Sequence, residues 1–130
     1  MTFPITAAYA APLALLMVAL QLLAIIARGR TGVLFGDAGR MELVLPVRRH
    51  GNFIENVPMV LILMALAEAQ GLSAGWLHAS GLMLCAGRLI QPLGLSESRK
   101  ALPLRVAGTV GTWIALAIPV VALLAGTIAG

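Results

Sequence analysis

Arg48, Asn52 and Glu55 interrupt an otherwise apolar stretch at positions i, i+4 and i+7. At helical periodicity these three fall within about 60° of one another, as one polar stripe running into the apolar segment. At about 1.5 Å per residue, Glu55 lies roughly 5 Å deeper than Asn52. A carboxylate at that depth is costly unless it is paired or wetted. Arg88 and Gln91 share a second helical face, and Arg105 follows just across the next connection. Several fixed positive charges, one carboxylate and two amides suit a small polyanion that bears one ammonium group. Arginine forks hold carboxylates through paired hydrogen bonds, and a lone glutamate takes the amine. The same residues also allow a purely structural role, with Glu55 paired to Arg88 or Arg105 to hold helices together.

The elements that must position these groups follow from composition. The chain has 130 residues, 60% of them hydrophobic and 11% charged, against roughly 45–50% apolar and 25% charged in soluble domains. A chain this short buries only about two-thirds of its surface in water, so a mean hydropathy of +0.98 points to lipid as the solvent. A bilayer core about 30 Å thick needs about 20 mostly apolar residues per helix. Four stretches qualify: residues 5–27, 52–70, 72–90 and 102–129. The expected fold is an all-α integral membrane protein, one four-helix transmembrane domain over residues 1–130. The first stretch lacks a positively charged leader and is longer than a signal-peptide core, so it is expected to remain as a helix.

All nine Lys and Arg residues fall in two places. Arg28, Arg30, Arg40, Arg48 and Arg49 follow the first stretch, while Arg88, Arg99, Lys100 and Arg105 surround the connection of the third and fourth. Both loops are therefore expected in the cytoplasm, with the Gln70-Gly71 turn and both termini on the other side. The first loop, residues 28–47, holds a Gly-Asp-Ala-Gly run at 36–39 that is turn chemistry, and Pro46 fits the first turn of helix two. The tight Gln70-Gly71 turn makes helices two and three antiparallel neighbours. Gly71, Gly75 and Ala79 on helix three, and Ala107 with Gly111 on helix four, recur at the four-residue spacing that permits close helix approach. Pro58, three residues past Glu55, cannot donate to the Ile54 carbonyl and is expected to loosen the helix beside the acid. Arg28, Arg30, Arg99 and Lys100 are expected simply to reach the headgroups.

Much chemistry is excluded. The formal charge of +4 is spread between apolar runs rather than along a basic face, which argues against nucleic acid. One cysteine, Cys85, permits no internal disulfide, and His50 and His78 do not form a helical metal pair. A phosphate-binding glycine loop, a zinc motif and a side-chain nucleophile beside a His and an acid are all missing. Any nucleophile has to arrive with a ligand.

The run Arg48-Arg49-His50-Gly51-Asn52-Phe53-Ile54-Glu55-Asn56-Val57-Pro58, following Gly36-Asp37, resembles the signature of the MAPEG family, membrane-associated proteins in eicosanoid and glutathione metabolism. The likeness continues through Gly87-Arg88-Leu89 and Arg105-Val106-Ala107-Gly108, and is greatest to the short bacterial members. The resemblance implies a four-helix bundle that forms a homotrimer in the inner membrane, with glutathione between adjacent subunits near the cytoplasmic face. By position, Arg48 would contact a glutathione carboxylate, Asn52 would hydrogen-bond the tripeptide and Glu55 would hold the γ-glutamyl amine. Arg88 and Gln91 would line the pocket, and Arg105 would face the thiol as the catalytic residue. A thiol of pKa about 8.5 is mostly protonated at neutral pH, and a neighbouring guanidinium favours the thiolate. Lipophilic electrophiles or hydroperoxides would arrive from the surrounding lipid. The chain departs from the family pattern at Leu45, where a second arginine is usual, at Asn56, commonly tyrosine, and at Gln91, a histidine or aromatic position.

Two other functional classes are expected to compete with a glutathione transferase or peroxidase. One is a binding or structural membrane protein without turnover, favoured by the missing aromatics. The other is a small four-helix transporter, disfavoured because such exporters carry their essential acid in the first helix, and this first stretch has none.

Overall fold

The computed structural model describes residues 2–95 and 98–129, without the side chains of residue 99 and residues 127–129. Arg99, expected at the headgroups, therefore has its side chain outside the described residues. The described residues form four helices: α1 (Pro4–Thr31), α2 (Met41–Ala69), α3 (Ala74–Gly94) and α4 (Leu102–Ala129), the last preceded by a short 3-10 turn at Arg99–Ala101. No strand occurs among the described residues. Ile5 and Thr6 meet Glu68, Arg49 meets Leu95, and Arg88 meets Thr112. Successive helices are therefore antiparallel. The two arginine-bearing connections lie at one end, with the Gln70-Gly71 turn and the helix termini near residues 4 and 129 at the other.

Three helices, α1, α2 and α4, are long and apolar enough to cross a membrane. The sequence reading gave four such runs, and α3 is the correction. It has 21 residues, but its Ser80, Arg88 and Gln91 lower its apolarity, and all three side chains are buried in the bundle. Polar groups that face protein rather than lipid are tolerated at membrane depth, so α3 is the helix whose composition reports packing instead of solvent. Its neighbours show lipid the reverse pattern: Leu15, Leu22, Ile25, Ile62, Val121 and Leu124 are exposed. The core is formed by Leu13, Leu20, Phe53, Val57, Val60, Met64, Leu84 and Ala115, drawn from all four helices.

The first connection is shorter than expected. The segment 28–47 shrinks to residues 32–40, because α1 runs on to Thr31 and α2 begins at Met41, eleven residues before the apolar stretch at 52. Pro46 consequently sits inside α2 and not in its first turn, and the helix continues through both Pro46 and Pro58. Gly32 closes α1 in the left-handed conformation, its N–H bonded to the Arg28 carbonyl. The turn chemistry at 36–39 is as read: Gly36, Ala38 and Gly39 have positive φ, and Asp37 Oδ1 accepts from the Gly39 N–H at 2.9 Å.

The most intimate helix pair is α3 with α4, and α1 with α2 comes next. The glycines responsible are mostly not those expected. Gly71 lies in the turn with φ +84, and a Cβ on Gly75 would meet nothing within 4 Å. The close approach is made instead by Gly87 and Gly108: a Cβ on either would fall 2.8 Å from the other's carbonyl oxygen. Of the expected set, Gly111 faces α3 at ordinary van der Waals distance. At the arginine-rich end, a Cβ on Gly94 would overlap the Arg105 backbone, and on Gly81 it would overlap the Tyr9 ring of α1. Gly108→Val is therefore expected to destabilise the bundle by about 1–3 kcal/mol through overpacking, seen as a lower unfolding temperature in detergent, whereas Gly75→Ala leaves it unchanged or slightly raised.

Candidate functional site

Arg88 occupies the centre of the polar region, where α2, α3 and α4 cross. It is 2% exposed, and its stem comes from a helix whose Gly87 allows α4 to approach. One terminal nitrogen donates to the Asn52 side-chain oxygen at 2.8 Å and to the Asn52 carbonyl at 3.3 Å. The other donates to the Thr112 hydroxyl, which itself donates to the Gly108 carbonyl at 2.9 Å. The buried Nε has no acceptor among the described residues. Among the described residues, this guanidinium is thus held by neutral oxygens, with no carboxylate paired to it. Charge-assisted hydrogen bonds of this type are the strong ones, and they fix the register of three helices at one level.

Of the residues singled out by sequence, the structure brings Asn52 and Arg88 into direct contact. Gln91 is one turn from Arg88, buried against Gly108. Arg48 and Glu55 share a face of α2 with Asn52 but are exposed, as is Arg105 at the start of α4. The only ion pair among the described residues joins Arg40 to Glu42 at 2.7 Å, so Glu55 is paired with neither Arg88 nor Arg105. The structural ion pair that the sequence allowed does not form within this chain. Asn56 donates to the Asn52 carbonyl of its own helix at 2.8 Å.

Several participants escaped sequence reading. Thr112 reads as one more small residue in an apolar helix, and only the Arg88 contact gives it a role. Arg49 sends a terminal nitrogen to the Leu95 carbonyl at 2.8 Å, tying α2 to the end of α3. At the opposite end, Glu68 accepts from the Ile5 and Thr6 N–H groups, both at 2.9 Å, and from the Thr6 hydroxyl at 2.7 Å. This carboxylate satisfies the orphan donors that begin α1, where its charge also meets the positive end of the helix dipole. The signal available was an acid near the end of one apolar run with a threonine near the start of another. The His78 Nδ1 lies 2.9 Å from the Tyr9 hydroxyl.

The profile of the MAPEG family matches residues 6–125, nearly the whole chain. The chain belongs to the MAPEG family. Among curated proteins, the inner membrane protein YecN of Escherichia coli K12 is 33% identical over 118 residues, covering 91% of this chain and 88% of its own length. YecN of Escherichia coli O6:H1 strain CFT073 matches to the same extent. No solved structure matches. This four-helix MAPEG protein is thus a membrane protein in which the contact of Arg88 with Asn52 joins two of the stretches from which the family resemblance was read.

If Arg88 depends on its neutral partners, their loss should be felt only while the cation is present. Asn52→Ala is expected to cost about 1.5–3 kcal/mol in the native chain, as for hydrogen bonds to charged groups. In an Arg88→Met background the same substitution should cost little, a coupling that thermal unfolding of the four variants in detergent would read.

Proposed function

We propose that this MAPEG protein binds glutathione near the cytoplasmic face, between subunits of a homotrimer in the inner membrane, and activates its thiol toward lipophilic electrophiles. The observation that carries this reading is the state of Glu55. It projects from an apolar span, exposed and without an ion-pair partner among the described residues. A lone carboxylate in such a position is costly, and an ammonium group together with a covering subunit would remove that cost. Arg48 on the same face would take a carboxylate of the tripeptide. Arg88 is engaged by Asn52 and Thr112, so its role would be to orient Asn52 toward the ligand, with Gln91 lining the pocket one turn on.

Arg105 would act on the thiol. Its guanidinium would stabilise the thiolate, while the thiol proton passes to water at the interface. The sulfur would then form a bond to an electrophilic carbon, and the leaving group would depart with the bonding electrons. Hydroperoxides of lipids are a second substrate class for the same thiolate. Both termini and the Gln70-Gly71 turn would lie on the non-cytoplasmic side, since every basic residue belongs to the other end of the molecule.

One observation favours a second reading, binding without turnover. Asn56 and Gln91 stand at positions where the family commonly has aromatic or histidine side chains, and Asn56 spends its amide on its own helix. Ultraviolet thiolate absorbance on adding glutathione to the detergent-purified protein at neutral pH separates the two. A saturable signal, lost in Arg105→Ala and weakened in Glu55→Gln, is expected for the activating enzyme. Glutathione binding without a thiolate signal would leave the second reading, and no binding to a folded trimer would overturn both.

A further inference from the structure

A second polar site lies about 100° around α2 from Arg48, in a groove between the end of α1 and the start of α2. The groove encloses about 320 Å³. Arg30, at the end of α1, and Arg49, from α2, supply its charge, while Leu23, Ile26 and Pro46 form its apolar wall. Glu42 also lines it, but this carboxylate is already neutralised by Arg40 at 2.7 Å. Arg30 is exposed and has no hydrogen-bond or ion-pair partner among the described residues. Arg49 gives one nitrogen to the Leu95 carbonyl, and its buried Nε has no acceptor among the described residues. The groove therefore holds two guanidinium charges and no free counter-charge.

The arrangement along α1 decides what can occupy it. Leu23 is seven residues before Arg30, about 10 Å deeper along the helix. The same groove thus offers cations at the arginine-rich end and branched apolar side chains toward the middle of the membrane. A free anion would satisfy only the upper part, and a hydrocarbon only the lower. The geometry points to a site for one anionic phospholipid, its phosphate held between Arg30 and Arg49 and an acyl chain lying along Leu23 and Ile26. Arginine matches phosphate geometry through paired N–H donors, and an ordered chain against apolar side chains would hold it in place. The site uses neither Glu55 nor Arg105, so it stands whether or not glutathione is bound.

The test is the unfolding temperature of the detergent-purified full chain, titrated separately with phosphatidylglycerol, phosphatidylcholine and inorganic phosphate. Phosphatidylglycerol should stabilise saturably, and neither of the others should reproduce the effect. Arg30→Gln removes a side chain with no hydrogen-bond or ion-pair partner among the described residues, so it should leave the unliganded protein intact. It should weaken the phosphatidylglycerol midpoint roughly fivefold, the loss of one cation at an anionic headgroup. Arg30→Lys should retain most of the response, and Lys100→Gln, an exposed cation at the same end, all of it. Equal stabilisation by phosphatidylcholine would overturn the proposal. So would reproduction by phosphate alone, or a response that survives Arg30→Gln or falls equally in Lys100→Gln. A change of oligomeric mass in Arg30→Gln would show that a second copy of the chain fills the groove instead.

Discussion

A guanidinium cannot be left bare inside a bundle that lipid surrounds. Arg88 is buried where three helices cross, and no carboxylate of the described residues pairs with it, so its charge is spread over oxygens that happen to be neutral. The Asn52 side chain, the Asn52 carbonyl and the Thr112 hydroxyl supply them. Much of the local packing follows from that demand. Gly87 and Gly108 let the backbones of α3 and α4 approach to the distance at which Arg88 can reach Thr112. Thr112 is held in turn by its bond to the Gly108 carbonyl. A larger residue at either glycine would push the acceptor away from the cation as well as crowd the helices.

The remaining polar groups divide by direction. Asn52, Arg88, Gln91, Ser80 and Thr112 turn inward and tie helices together, and Ser80 donates to the Ala115 carbonyl at 2.7 Å. Arg48, Glu55 and Arg105 turn outward and have no ion-pair partner among the described residues. Inward groups account for the fold, whereas outward groups make sense only if something outside the chain meets them. That separation is the basis for the proposed glutathione site between subunits. The opposite end of the molecule shows the contrasting economy: Glu68 is fully used within the chain, capping α1 through two backbone donors and one hydroxyl.

Much of this was legible before any coordinates. Apolar run length marked the helices, glycines with Asp37 marked the turn at 36–39, and the i, i+4, i+7 spacing placed Arg48, Asn52 and Glu55 on one face. What misled was local polarity. Residues 41–45, with Glu42, read as loop ahead of Pro46, yet they form the first turn of α2, because a helix end in the headgroup region needs no apolar residues. Glycine spacing misled for another reason. Gly75 and Gly87 look alike in sequence, and only the crossing point decides which one is pressed against a neighbour. Pairings between distant residues, Arg49 with Leu95 and Glu68 with Thr6, left no periodic trace, since they depend on how helices are rotated against one another.

The most direct measurement on the proposed site is native mass spectrometry of the protein released from detergent in the presence of glutathione. A trimer carrying glutathione, with the ligand lost but the trimer kept in Glu55→Gln, is the expected result. A protein that stays monomeric, or a trimer that takes up glutathione equally well with Gln at position 55, would contradict the claim that the outward-facing stripe of α2 is completed by ligand and neighbour together.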